Sequence, residues 1–340
     1  MRSMTCSQRC PKPLYMIIHD NRPRILVWHI HGSYLYYLTQ ANCVFYLPFK
    51  ESTEEGYGSR TPSFPWGENV ISVPAEQVRE LEFDCIIFQS HKNYLSDQYE
   101  ILSEDQRNLP RIYLEHDPPR ETPTDTRHIV DDPNILLVHV THFNALMWNS
   151  NNTPYTVIEH GVVSAPHVHY SGELEKGIVV VNCLEKRGRR LGYDIFKRVS
   201  EEIPLDLVGM GSEALGGLGE IRNGELQTFI SRYRFFFNPI RYTSLGLAVC
   251  EAMMTGLPII GLATTEMAVT VVNDYSGYIH TDVEWLILRM KMLLNNRKKA
   301  FDLSRGARET AREKFNIRRF ISDWENVFHK VCTNQNAMIA

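Results

Sequence analysis

The chain has 340 residues, of which 43% are hydrophobic and 22% charged, so it is long enough to bury two cores and suggests two domains. Its 36 basic and 40 acidic residues give a net charge of −4, which does not favour a dedicated nucleic-acid binder, although a local basic patch stays open. Its seven cysteines form no CxxC pair or zinc spacing, and no apolar run is long enough for a signal peptide or a membrane span. These features predict a cytoplasmic protein with no transmembrane segment, and they leave a peripheral membrane contact open.

Short apolar strands alternate with helical stretches along the first half of the chain. A helix rich in Tyr and Leu follows the first core strand, residues 93–108 suit helices, and the polar residues 51–65 are typical of a mobile loop. The predicted strands are 14–18, 24–28, 44–47, 70–73, 85–89, 111–114 and 135–140. This alternation predicts a parallel sheet with helices on both faces.

The same pattern starts again in the second half of the chain. The predicted strands there are 177–181, 205–208, 235–237, 257–262 and 277–279. Residues 162–177 are polar and lack periodicity, which indicates a domain boundary. We therefore expect an N-terminal domain over residues 1–165, a C-terminal domain over 166–315, and a last amphipathic helix over 316–340 with Phe320, Trp324 and Phe328 at helical spacing.

The most informative segment, residues 238–256, predicts a strand, a turn and a helix that binds phosphate. The apolar strand 235–237 precedes it, Ser244 is a good helix N-cap, and the helix ends at Gly256. Free N–H groups at such a helix start suit a phosphate, and Gly246 lets a ligand approach the backbone closely. Glu251 lies one turn into the helix, where its carboxylate can hold sugar hydroxyls. Phosphate and hydroxyl sites side by side describe a nucleotide-sugar.

This segment resembles the donor-binding motif of GT-B glycosyltransferases, in particular the large retaining group called GT4. The residues that match in order and spacing are Gly246-Leu247, Glu251-Ala252-Met253 and Gly256-Leu257-Pro258. In that family a first Glu touches the donor sugar and a second binds the ribose; here Thr243 stands at the first position and Glu251 at the second. The alternative is an ordinary strand–helix–strand unit with a glutamate in the core.

The resemblance implies an α/β chain of GT-B fold, with two Rossmann-like domains whose parallel sheets face a central cleft. The last helix crosses back to the N-terminal domain in that fold. The family generally uses a nucleotide-sugar donor, needs no divalent metal and retains the anomeric configuration, so we expect no cofactor. We see no obvious nucleophilic carboxylate in the first domain, and we expect front-face attack assisted by the leaving phosphate.

Further donor-binding positions follow from the same resemblance. The family places two cations over the diphosphate, for which Arg187 and Arg190 are the nearest equivalents, although a charge run is also typical of a solvated face. A Gly-x-Gly beside the nucleotide corresponds to Gly209 and Gly211, and Glu266 lies in a loop that touches the sugar or caps a helix. The predicted donor-binding set is Gly32, Arg187, Gly209, Gly211, Thr243, Ser244, Leu245, Gly246, Leu247, Glu251 and Glu266.

His116 is the first candidate for a catalytic residue, because the family often carries a histidine at the end of such a strand, facing the donor sugar. A histidine held by a neighbouring carbonyl is the structural alternative. Arg190 and Glu251 complete the predicted catalytic set.

Two other histidine-containing loops are expected near the cleft. His160 stands in a segment that resembles the family's connector between domains, so we expect it at the hinge. Gly32 borders the cleft by analogy with the loop after the first GT-B strand, and a plain turn fits equally well. His29 and His31 lack a third ligand, so the sequence predicts no metal site.

The sequence therefore favours a glycosyltransferase that moves a sugar from a nucleotide-sugar to an unknown acceptor, which is a glycan, a lipid-linked molecule, a small molecule or a nucleic acid. A noncatalytic nucleotide-sugar-binding protein is one alternative, suggested by Thr243. A nucleic-acid-modifying glycosyltransferase is another, which the basic loop at Arg187 permits.

Overall fold

Two parallel β-sheets form the framework of the molecule in the computed structural model, which describes residues 21–52 and 54–338, with side chains to residue 333. The predicted strand 14–18 lies outside these residues. The strands of the first sheet are β1 (Arg24–Val27), β2 (Val44–Phe49), β3 (Val70–Pro74), β4 (Cys85–Phe88), β5 (Arg111–Glu115), β6 (Ile135–His139) and β7 (Tyr155–Val157). Those of the second are β8 (Leu174–Val180), β9 (Leu205–Val208), β10 (Tyr233–Asn238), β11 (Ile259–Leu262) and β12 (Gly277–His280).

Helices cover both sheets, as the sequence predicts. The first domain carries α1 (Gly32–Leu38), α2 (Gln98–Ile101), α3 (Glu104–Arg107) and α4 (His142–Met147). The rest of the chain carries α5 (Leu184–Arg187), α6 (Tyr193–Ser200), α7 (Asn223–Ile230), α8 (Leu247–Thr255), α9 (Met267–Thr270), α10 (Val283–Asn295), α11 (Arg297–Lys314) and α12 (Ile317–Met338). Single 3-10 or π turns at Ala75–Glu80, Asn93–Asp97, Gly188–Leu191 and Glu213–Leu215 complete the helical elements.

The strand order places a crevice beyond the carboxyl ends of the inner strands of each sheet. The first sheet runs β3-β2-β1-β4-β5-β6-β7 and the second β12-β11-β10-β8-β9, with every strand pair parallel. Central strands such as β4 and β10 are buried along their whole length, because their apolar runs face helices on both sides. The chain order reverses beside β1 and beside β8, and ligands bind at such switch points, beyond the carboxyl ends of the strands.

The last helix, α12, packs against the first domain. Its buried Trp324 donates from Nε1 to the hydroxyl of Tyr34, 3.1 Å away, and Phe320 lies edge-on to the same tyrosine. The backbone N–H of Val162 donates to the carbonyl of Phe315, so the two segments that pass between the domains lie side by side. The exact domain limits stay a prediction.

The α/β fold with two parallel sheets is confirmed, and the differences are local. Residues 93–108 form a π turn and the short helices α2 and α3, because the capping box of Ser103 and Gln106 starts a new helix there. Within the polar stretch 51–65, Ser59 is hydrogen-bonded to Ser72 on β3 and Phe64 is stacked on Tyr36 of α1. No helix of the described residues is long and apolar enough to cross a membrane.

Candidate functional site

A cleft of about 580 Å³ lies between the two sheets, at their carboxyl edges. The first domain contributes the loop after β1 and the end of β5, and the second contributes the ends of β8 and β9 and the start of α8. Ten of the predicted site residues line it: Gly32, His116, Arg187, Gly209, Thr243, Ser244, Leu245, Gly246, Leu247 and Glu251. The fold therefore brings residues from positions 32 to 251 into one site.

The N-terminus of α8 opens into this cleft without a side-chain cap. The prediction that Ser244 is the N-cap is wrong: Gly246 occupies that position, and no side chain accepts a hydrogen bond there. Ser244 is two residues too early, because the chain first crosses the cleft wall in a loop before turning into the helix. The N–H groups of Leu247 and Ala248 have no acceptor within the described part of the chain. These donors and the positive end of the helix dipole form a candidate anion site.

Glu251 lies one turn further along α8 and is buried. Its Oε1 accepts hydrogen bonds from the hydroxyl of Tyr37 at 2.6 Å and from the amide nitrogen of Asn223 at 3.2 Å. Burial raises the pKa of Glu251 to about 7, against the lowering effect of those two hydrogen bonds. The carboxylate thus lines the cleft beside the anion site, where hydroxyl groups of a ligand can reach it.

Two arginines at the cleft entrance carry charge that no ion pair neutralises within the described residues. Arg187 lines the cleft, and the half-buried Arg190 does not, although its Nη1 lies 3.4 Å from the carbonyl of Tyr242. Burial, with the nearby cations Arg120 and Arg187, lowers the pKa of Arg190. By contrast, Asp194 pairs with Arg241, which holds the pKa of Asp194 at about 2. An anion would relieve the charge that Arg187 and Arg190 leave unbalanced.

His116 sits on the opposite wall as a neutral histidine. The amide nitrogen of Gln89 donates to the carbonyl of Trp28, so the Gln89 oxygen, 2.9 Å from His116 Nε2, acts as acceptor. This network assigns the ring proton to Nε2 and leaves Nδ1 as an acceptor. Burial, and after it the neighbours His31 and His160, lower the pKa of His116 well below its usual range. The ring is therefore an acceptor at neutral pH, with the His31 ring 4.0 Å away.

The first domain's wall of the cleft also carries a carboxylate. Asp117 follows His116 and lines the cleft, but its Oδ2 is held by the guanidinium of Arg120. Sequence inspection missed it because its carboxylate is adjacent to the histidine in a proline-rich loop that resembles a plain exit turn.

The remaining predicted residues divide between the cleft and its surroundings. Gly32 and Gly209 line the cleft, and a Cβ on Gly209, at φ +135°, would lie 2.6 Å from the carbonyl oxygen of Val181, so only glycine fits. Gly211 and Glu266 are not among the lining residues. The carboxylate of Glu266 instead accepts a hydrogen bond from the Phe143 N–H, near the start of α4, at 2.9 Å.

Among the described residues, three hydrogen bonds cross the cleft and join the domains: Tyr37 to Glu251, Phe143 to Glu266, and the Tyr242 hydroxyl to the Pro119 carbonyl at 2.9 Å. The connector adds His160, whose Nε2–H donates to the carbonyl of Leu245 at 2.8 Å. Burial lowers the pKa of His160 to about 4, so it is neutral. His160 thus contacts the loop before α8 from the segment where the sequence places the hinge.

Sequence reasoning missed Tyr37, Asn223 and Arg120. Tyr37 lies in a helix rich in Tyr and Leu, a pattern that predicts a residue of the hydrophobic core. Asn223 is the first residue of α7, where a polar residue is common and does not indicate a binding site. Among the described residues, no group of three or more metal-ligating side chains occurs.

The fold and cleft define a glycosyltransferase-type GT-B architecture, and comparison with known families and structures supports this. The glycosyl transferases group 1 family model matches residues 212–310, which contain the start of α8 and Glu251. Among curated proteins, none matches the chain in sequence.

Solved structures share the fold at low sequence identity. Sucrose-phosphate synthase from Thermosynechococcus elongatus is 15% identical, with a TM-score of 0.67 over 92% of this chain and 100% of that one. Anabaena HepE in complex with UDP-glucose is 11% identical, with a TM-score of 0.64 over 91% of this chain and 100% of that one. TarM from S. aureus, in a complex that includes UDP, is 14% identical, with a TM-score of 0.57 over 75% of this chain and 58% of that one.

These comparisons confirm the resemblance to GT-B glycosyltransferases that the motif predicts. The chain has the GT-B fold, and its second domain carries the group 1 glycosyltransferase signature. Placement in the GT4 group stays a prediction.

Proposed function

We propose that the protein transfers a sugar from a nucleotide-sugar to an acceptor hydroxyl, with retention of anomeric configuration and without a divalent metal. The observation that carries the proposal is the uncapped start of α8, which opens into the interdomain cleft one turn from the buried carboxylate of Glu251. A diphosphate at the helix start and a ribose at the carboxylate fit this pair of sites.

The leaving diphosphate is stabilised by fixed positive groups in this proposal. The N–H groups of Leu247 and Ala248 bind one phosphate, Arg187 supplies a cation in the cleft, and Arg190 supplies a second cation just outside the cleft lining. Groups already oriented before the reaction cost no reorganisation when charge develops on the phosphate. The two arginines can supply the charge that a divalent ion would otherwise provide.

The transfer step exchanges one bond at the anomeric carbon. The acceptor oxygen attacks on the face from which the diphosphate leaves, the bond from the anomeric carbon to the phosphate oxygen breaks, and the departing phosphate oxygen takes the acceptor's proton. His116 accepts a hydrogen bond from a sugar hydroxyl through Nδ1 and positions the donor. Asp117 stays paired with Arg120 and takes no covalent part.

The donor to test first is UDP-glucose, because HepE and TarM were solved with UDP-glucose and UDP respectively. Thr243 lines the cleft at the family's sugar-binding Glu position, so the sugar itself is left to a panel of donors. The acceptor belongs to one of four classes: a glycan, a lipid-linked molecule, a small molecule or a nucleic acid.

A thermal-shift screen followed by a turnover assay tests the proposal. Purified protein is heated with UDP-, GDP- and ADP-sugars without metal, since a ligand that binds only the folded state raises the melting temperature. Donors that bind are then assayed for release of the nucleoside diphosphate, with and without candidate acceptors. Binding followed by release supports the proposal, and a folded protein that binds none of these donors contradicts it.

A noncatalytic binder is the second candidate, and the uncharged Thr243 in the cleft favours it. It predicts donor binding with no release of nucleotide under any acceptor condition. A nucleic-acid acceptor is favoured by the unpaired Arg187 and Arg190, and it predicts a duplex DNA shift that weakens steeply as salt rises.

A further inference from the structure

Tyr37 of the first domain reaches the proposed ribose site in the second domain, which no feature of the donor motif anticipates. It lies on α1 in the first domain, only 2% exposed, whereas Glu251 lies on α8 in the second, only 3% exposed. The hydroxyl of Tyr37 and Oε1 of Glu251 are 2.6 Å apart, a short hydrogen bond of the kind that a charged acceptor makes.

The two oxygens of the Glu251 carboxylate are used differently. Oε1 accepts from both Tyr37 and Asn223, while Oε2 accepts no hydrogen bond from any described residue. Because Glu251 lines the cleft, this leaves one oxygen held in place and one available to a ligand. A carboxylate fixed through one oxygen needs no reorientation when hydroxyl groups approach the other.

We propose that Tyr37 is a positioning residue for the nucleotide: it holds Glu251 through Oε1 in the ionised form whose Oε2 accepts the ribose hydroxyls. This inference rests on the proposed function, since it assigns the nucleotide's ribose to Glu251. It also joins donor binding to domain closure, because the hydroxyl that holds the carboxylate belongs to the opposite domain.

The protonation of Glu251 distinguishes a positioning role of Tyr37 from a role in packing alone. Burial raises the pKa of Glu251 to about 7, and the hydrogen bonds from Tyr37 and Asn223 oppose that rise. The titratable groups that interact with the carboxylate are Tyr37 on α1 and Cys250 beside it on α8, and burial raises the pKa of both, so both are neutral where Glu251 titrates. Loss of the Tyr37 hydroxyl therefore shifts the titration of Glu251 upward.

The test measures the affinity of UDP-glucose, GDP-mannose and ADP-glucose by calorimetry across the pH range in which Glu251 ionises. For the wild type, affinity rises with pH around a midpoint near 7, the pKa of Glu251. A hydrogen bond to a charged group accounts for about one pKa unit or more, so Tyr37→Phe should raise the midpoint by about one unit. At pH 7 its affinity should be about fivefold lower, and at about pH 9 the two affinities should converge.

Tyr36→Phe is the matched control, because it removes a hydroxyl one position away that does not contact Glu251. Asn223→Ala removes the second donor to Oε1 and should move the midpoint in the same direction, which keeps the test decisive if Tyr37→Phe does not fold. Tighter binding by Tyr37→Phe, or an unchanged midpoint, would overturn the inference and leave the proposed function standing. A folded wild type that binds none of the three donors at any pH would overturn the proposed function and the inference with it.

Discussion

Glu251 should make the protein less stable at neutral pH, a cost that accompanies its role in the proposed donor site. Its folded-state pKa of about 7 lies above the ordinary value of 4.5, so the folded chain holds a proton that the unfolded chain has released. Stability then falls as pH rises from about 4.5 to about 7. At 1.36 kcal/mol per pKa unit, the cost at pH 8 is about 3 kcal/mol, and at pH 5 about 1 kcal/mol.

Glu251→Gln removes this cost and keeps an oxygen that accepts from Tyr37 and Asn223. We expect the variant to be more stable than the wild type by about 3 kcal/mol at pH 8 and by about 1 kcal/mol at pH 5, with weaker donor binding at pH 8. Urea unfolding at both pH values measures the difference, and Glu225→Gln on the exposed face of α7 is the control. A stability gain that is the same at both pH values would refute the reasoning.

Three further changes test other parts of the site and fold. His116→Ala should lower turnover by about 100-fold and leave nucleotide binding intact, as measured by steady-state kinetics beside calorimetry, because its ring contacts the sugar in the proposed function. Arg187→Ala with Arg190→Ala should weaken binding of the nucleoside diphosphate more at low salt than at high salt, and equal losses at both would exclude a charge role. Trp324→Ala should cost about 3–5 kcal/mol in thermal or urea unfolding, because the fully buried indole fixes α12 to the first domain.

The framework and the strand–helix unit that lines the cleft could be predicted from sequence because their signals are local. Strand β10 contains the continuous apolar run 235–237, and the helix that follows it ends at Gly256, whose φ of +97° suits glycine. The start of that helix was placed two residues early, since Ser244 has the chemistry of a cap and only the path of the loop assigns that place to Gly246. The local sequence indicates that a helix cap lies near this point, and the tertiary structure determines which neighbouring residue occupies it.

The other half of the site depends on contacts that no local pattern encodes. Tyr37 and Glu251 are 214 positions apart, and Phe143 and Glu266 are 123 apart. Tyr37 has the sequence pattern of a core residue because its ring is buried in the core. Its hydroxyl is the part that meets a polar partner, Glu251. Glu266 was predicted near the sugar or at a helix start, and its carboxylate does meet a helix start, but that helix belongs to the other domain.

The three cross-cleft hydrogen bonds of the described residues must break before the two domains can separate. If each contributes about 1 kcal/mol, the closed arrangement is favoured by about 3 kcal/mol, and roughly one molecule in 150 is open at any moment. The chain passes between the domains in two adjacent segments joined by the hydrogen bond from Val162 to Phe315, so a relative rotation of the domains would pivot near that point. If the domains must separate for a donor to enter, the rate of donor binding cannot exceed the rate at which the domains open.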